Sequence, residues 1–231
     1  MNRALRREYL SAMGLETWVA RCRPGVPATV PVAAPANAPA NAPREAGYDW
    51  APLRERVAAC TRCGLAATRT QTVFGVGNLH AEWLVVGEAP GAEEDRAGEP
   101  FVGRAGQLLN SMLRAIGLAR EDVYIANVLK CRPPHNRDPL ASETAECLPF
   151  LEQQIALLKP KIMLSVGRIA AQNLLRTDVS LGRLRQKVHA FGSTRVPLVV
   201  TYHPAYLLRT PMDKRKAWED LKFAREVFAR G

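Results

Sequence analysis

Four carboxylates close the stretch LVVGEAPGAEED at residues 84–95, where an apolar run ends at Gly87 and is followed by Glu88, Glu93, Glu94 and Asp95. The protein that carries them is basic, with a formal net charge of +10 and a pI near 9.8. Acids gathered at the end of a buried strand belong to a site rather than to a solvated face, and a carboxylate at the strand terminus, Glu88, is the first candidate for chemistry. Three further apolar runs end in the same way, DVYIANV on Asn127, KIMLSVG on Gly167 and VPLVVTYHP on His203. Cysteines form a second constellation: Cys60 and Cys63 in a C-x2-C pair, then Cys131 and Cys147 with fifteen residues between them. Four thiolates can hold zinc or an iron–sulfur cluster. Structural zinc more often uses two short-spaced pairs, so the spacing favours a cluster. Cys22 stands apart in the N-terminal tail and reads as an unliganded thiol.

Elements that position these residues follow from periodicity. Short apolar runs at 82–88, 122–128, 161–167 and 196–204 read as strands, and amphipathic runs at 106–117, 143–159, 168–175 and 213–230 read as helices. Alternation of this kind predicts an α/β fold, a three-layer α/β/α domain on a central, mainly parallel four-stranded sheet. In such sheets the ligand site lies beyond the carboxyl ends of the strands, which brings Glu88, Asn127 and His203 together.

Before that domain, prolines at 24, 27, 31, 35, 39 and 43, with little but Ala, Val and Asn between them, forbid a helix and starve a sheet of donors. The sequence therefore divides into an N-terminal peptide (1–23), an extended linker (24–46) and a catalytic-size domain (47–231). Both the peptide-linker part and the domain are basic, as a polyanionic partner would require. No run approaches the ~20 apolar residues of a membrane span. The start, MNRALRREYL, lacks the apolar centre of a secretory signal, so the expected location is the cytoplasm and the expected state a monomer.

The segments CTRCGL (60–65), VGEAPGAEED (86–95), GEPFVGRAGQLL (98–109), NVLKCRPPHNRDP (127–139), ECLPFL (146–151) and TYHPAYLLR (201–209) together resemble the family 4, iron–sulfur uracil-DNA glycosylases, in the family's order. Ala89, not Gln, is the second residue after Gly87, and the histidine-bearing insertion of the covalently trapping relatives is absent. The resemblance implies hydrolysis of uracil from DNA and a [4Fe–4S] cluster on Cys60, Cys63, Cys131 and Cys147. It further implies a base stacked on Phe101 beside Ala89, an Asn127 amide that reads the uracil edge, and a His203 that donates to uracil O2. Glu88 would orient water, and Glu94 would be the second catalytic candidate, near the pocket and shaping it against the methyl group of thymine. Leu207 or Leu208 would fill the vacated stack, with Arg209 on a phosphate and Arg62, Lys130 and Arg132 beside the DNA. Glu93 and Asp95 are read as solvated or helix-capping.

A metal-stabilised nucleic-acid module without catalysis would have no use for Glu88, Phe101, Asn127 and His203 together. A nucleotide enzyme would need a phosphate loop that GEAPG does not provide. The peptide REYLSAMGLETWVARCRPG is similar to the N-terminal peptide of the psi subunit of the bacterial replicative polymerase, with Leu10, Met13, Gly14, Leu15 and Trp18 in its pattern. That likeness implies docking on the replicative clamp loader; the same amphipathic pattern also fits a helix folded back on its own domain.

Overall fold

The computed structural model describes residues 49–192 and 194–230. The N-terminal peptide and the whole of the linker, with the docking role read for residues 1–23, lie outside them. Among the described residues no helix is long and apolar enough to cross a membrane.

Six strands form one mixed sheet in the order β1-β3-β2-β4-β6-β5. Its centre is the expected parallel set: β2 (Trp83–Gly87), β3 (Val123–Asn127), β4 (Ile162–Val166) and β6 (Val196–Thr201). The four-stranded expectation needs correction at both edges, where β1 (Val76–Gly77) and β5 (His189–Phe191) pair antiparallel to β3 and β6. Two and three residues are too few to show a period of two, and β1 is framed by Gly75 and Gly77 at φ of 138° and 125°.

Every residue of β2, β3 and β4 is buried, as expected of central parallel strands covered on both faces. On one face Leu84, Val86, Met163 and Val200 pack against Leu151 and Ile155 of α4 (Ala141–Leu158) and Ala171 of α5 (Arg168–Leu175). On the other, Val85, Ile125, Leu164 and Val199 meet Leu109 and Leu113 of α3 (Arg104–Ala115) and Leu221 and Ala224 of α8 (Lys214–Arg230). A third cluster joins Leu53 and Val57 of α1 (Trp50–Ala58) to Leu65, Phe74, Phe150, Cys131 and Cys147. Register sets the site: Gly87 lies opposite Asn127 and Val166 opposite Thr201, so the strands end level with one another.

Candidate active site

Beyond those ends a pocket collects Glu88, Ala89, Glu94, Phe101, Asn127, His203 and Arg209. Asn127, the last residue of β3, is 2% exposed, and its Oδ1 has no hydrogen-bond partner among the described residues. A buried unpaired acceptor costs ~1–3 kcal/mol, a cost that a ligand with a matching donor removes. The close approach depends on Gly87. A Cβ there would lie 2.4 Å from Asn127 Oδ1 and 2.7 Å from Phe101 Cζ, so no other residue leaves the amide and the ring where they stand. Backbone of the following turn is tied across the strands by Val128 N–H to Gly87 O and Leu129 N–H to Glu88 O.

Phe101 sits on the loop between α2 (Ala92–Ala97) and α3 with φ of 55°, in the left-handed region that a bulky residue avoids. Arg120 holds this strained backbone through Pro100 O (2.7 Å), and Gly106 lets α3 press on it, since a Cβ there would meet the Phe101 carbonyl at 1.7 Å. The ring is part of the second core cluster, yet it also lines the pocket, with its centroid 5.6 Å from that of His203. Phe101 therefore serves core packing and the pocket wall at once.

His203 caps the N-terminus of α7 (Pro204–Arg209): its Nδ1 accepts the Ala205 N–H at 3.1 Å, with Pro204 in the first helical position. Burial, and then the charge of Arg209, hold the imidazole pKa down at about 4 against a smaller opposing effect of Glu94. The ring is therefore neutral at pH 7. With Nδ1 occupied as an acceptor, its proton resides on Nε2, which makes His203 a hydrogen-bond donor on a side chain that lines the pocket. Gly167 makes room for it, since a Cβ there would approach the His203 Cβ to 3.0 Å. The strand end below is anchored by a network the sequence did not announce. Asp220, fully buried on α8, accepts from Thr201 Oγ1 (2.9 Å) and from Nε (2.7 Å) of Arg185, which ends the short helix α6 (Leu181–Leu184) and also lies over the Tyr202 ring.

Glu88 follows β2 directly and is half-buried. Burial, and then the nearby charge of Asp138, raise its pKa to about 7, while Arg168 opposes the shift. Asp138, which lines the pocket, pairs with Arg168 at 3.0 Å.

The other acids divide differently from expectation. Glu94 uses both oxygens on backbone: Oε2 accepts from Gly91 N–H (3.1 Å), Oε1 from Val102 N–H (3.2 Å). It closes the first turn of α2 and binds it to the Phe101 loop, so it builds the pocket wall, and its place among the catalytic residues is corrected to a positioning role. Asp95 is buried, not solvated, with both oxygens accepting the Thr70 N–H at 3.0 Å. Glu93 is exposed and paired with Arg96.

Of the two wedge candidates, Leu207 is 1% exposed inside the second core cluster and is excluded; Leu208 beside it is half-buried and Arg209 is exposed. Lys130 is likewise unable to reach DNA, because it is buried with Nζ on Asn127 O (2.8 Å) and Gln154 Oε1 (2.6 Å). Arg132 bonds Asn136 Oδ1 at 2.8 Å, and Arg62 pairs with Glu146.

Cys60, Cys63, Cys131 and Cys147 line one space against Val57, Leu65 and Phe150, with Cys131 and Cys147 buried and Cys60 and Cys63 half-buried. Arg69 donates to Cys131 Sγ at 3.0 Å and the Lys130 backbone N–H to Cys147 Sγ at 3.2 Å. Burial pushes both thiols up, Cys147 to about 11. Among the described residues no group of three or more His, Cys, Asp or Glu is spaced to hold a metal ion.

Comparison with known proteins agrees with this geometry. Residues 74–222 match the model of the uracil DNA glycosylase superfamily. The chain is 45% identical to the type-4 uracil-DNA glycosylase of Archaeoglobus fulgidus, over 72% of this chain and 86% of that one. It is 43% identical to that of Pyrobaculum aerophilum (75% and 91%) and 44% identical to that of Thermotoga maritima (74% and 90%). A matched span that runs from the β1 edge through both halves of the pocket, at this identity, places the chain in the uracil DNA glycosylase superfamily, among its type-4 members.

Proposed function

We propose that the protein excises uracil from DNA, hydrolysing the N-glycosidic bond to leave an abasic site and so initiating base excision repair. Family membership supports the activity, and the single observation that carries the assignment to this pocket is the buried, unpaired Asn127 Oδ1 at its floor. A base in a duplex is out of reach, so the nucleotide must rotate into the pocket and pay for its unstacking there. Phe101 offers the stacking face. Asn127 accepts the uracil N3–H at Oδ1 and donates to O4 from Nδ2. Cytosine presents a bare N3 and an amino group at those positions and leaves both groups mismatched.

Cleavage of C1′–N1 leaves the electron pair on the base and positive charge on the sugar. His203 Nε2–H meets the charge that develops on O2, an oxyanion-type stabilisation by a neutral donor. Glu88, ionised, orients the water that attacks C1′, accepts a proton from it and opposes the cationic sugar, as carboxylates do in glycoside hydrolysis. Leu208 fills the vacated stack and Arg209 meets a phosphate, within the favourable field of a chain of net charge +10.

An oligonucleotide with one uracil tests the activity. Treatment with the protein and then alkali should break the strand at uracil and leave matched cytosine and thymine strands intact; an unbroken uracil strand would overturn the assignment.

The four cysteines are read as ligands of a [4Fe–4S] cluster. Supporting this are their convergence on one space and the two N–H donors aimed at Cys131 and Cys147 sulfur, which suit thiolates better than neutral thiols. A cluster presents separate iron corners, so its thiolates need not converge on a single point as ligands of one ion do. When bound it would supply structural cross-linking of the loops at 60–65 and 129–132 to α4, since hydrolysis requires no electrons. Protein prepared without oxygen should contain iron and sulfide in equal amounts and lose both, with solubility, in Cys131→Ala. Stoichiometric zinc without iron or sulfide would refute the cluster.

A further inference from the structure

Between α7 and α8 a short turn, Pro211–Asp213, holds Met212 out at 86% exposure, the most exposed large apolar side chain among the described residues. The turn is rigid for so exposed a tip. Pro211 fixes its first position, Tyr206 O–H donates to Asp213 Oδ2 at 2.6 Å, Lys216 Nζ holds Asp213 Oδ1 at 2.9 Å, and the Asp213 N–H returns to Thr210 O. Little conformational entropy remains to be lost when something lands on Met212.

The helix that follows is charged against its own dipole. The partial positive charge at a helix N-terminus disfavours cations in the first turn. α8 nevertheless begins Lys214-Arg215-Lys216 with no acid in that turn. Lys216 is absorbed by Asp213, whereas Lys214 and Arg215 are exposed and have no ion-pair partner among the described residues. An external polyanion resolves this arrangement.

Its position makes that polyanion the substrate duplex. Asp220 of α8 bonds Thr201 at the carboxyl end of β6, while Phe228 near the far end of α8 packs on Trp83 at the start of β2, ring centroids 5.1 Å apart. The helix thus runs opposite to the strands and starts on the side where the pocket opens, and Tyr206, which holds the turn, lines that pocket.

We propose that Met212 is a second apolar wedge that presses into the minor groove against the strand opposite the uracil, with Lys214 and Arg215 on that strand's phosphates. Leu208, four residues earlier, serves the uracil strand. This rests on the glycosylase reading, and it adds a requirement that exists only in duplex DNA, because a single strand has no opposite stack to hold open.

The test compares Met212→Ala, Met212→Leu and the Lys214→Ala/Arg215→Ala double variant with the parent on the same uracil oligonucleotide, single-stranded and paired. Substitutions at so exposed a site leave folding nearly unchanged. Met212→Ala should lose tenfold or more in kcat/KM on duplex, keep the parent value on single strands, and abolish the fluorescence rise of 2-aminopurine placed opposite the uracil; Met212→Leu should restore most of both. The double variant should flatten the salt dependence of duplex binding by about two log units per decade, from ~0.9 per phosphate contact. Equal effects on single and double strands, or none on either, would overturn the wedge. A parent that releases uracil from neither substrate would instead refute the underlying activity.

Discussion

His203→Ala should lower the single-turnover rate of uracil release by about 10²–10³-fold, the loss typical of removing one oxyanion donor, with affinity for uracil-free duplex nearly unchanged. The expectation comes from the tautomer. Ala205 N–H occupies Nδ1, and burial with Arg209 nearby keeps the ring neutral, so Nε2–H is a fixed dipole that meets charge only as the bond breaks. An interaction of that kind acts on the rate and not on ground-state binding. Because His203 also caps α7, the Ala variant should lose ~1 kcal/mol of stability. His203→Asn separates the two roles: Asn is a good N-cap, so the melting temperature should return towards the parent value while the rate stays low. A rate within a few-fold of the parent in both variants would remove His203 from the chemistry.

Glu88, Asn127 and His203 were legible because apolar runs of five to six residues end on them, and a parallel sheet leaves such ends side by side. What a carboxylate faces is not written in its neighbours. Glu88, Glu94 and Asp95 look alike in sequence, yet one borders the pocket, one binds the Gly91 and Val102 N–H groups, and one is buried on the Thr70 N–H. Leu207 and Leu208 are adjacent in a six-residue helix, too short for its buried face to be read, and the packing of α7 on α3 decides between them. Asp138 and Arg168, which bear on Glu88, come from a loop and a helix thirty residues apart, a pairing no local pattern encodes. Both edge strands were missed for want of length.

Glu88→Gln should slow excision by about 10²–10⁴-fold, the usual contribution of a positioned general base, because the amide neither accepts the proton of the attacking water nor opposes the sugar's charge. The same substitution should help folding. A carboxyl whose pKa rises from 4.5 to about 7 on folding favours the native state below pH 4.5, and that contribution is lost as pH rises through 7. Glu88→Gln should therefore be more stable than the parent at pH 8, with the advantage shrinking to nothing by pH 4. Activity and stability move in opposite directions, which a merely structural carboxylate would not produce.

The pH dependence of uracil release under single-turnover conditions bears most directly on a pocket that pairs a neutral histidine with an ionised glutamate. The rate should rise tenfold per pH unit up to about 7, where Glu88 ionises, and then hold level to pH 9, with no inflection from His203, which stays neutral throughout. Glu88→Gln should be slow and flat across the same range. A parent rate that instead falls as pH climbs past 6.5 would mean that a protonated imidazole does the work, and a flat parent profile through 7 would mean that Glu88 does none.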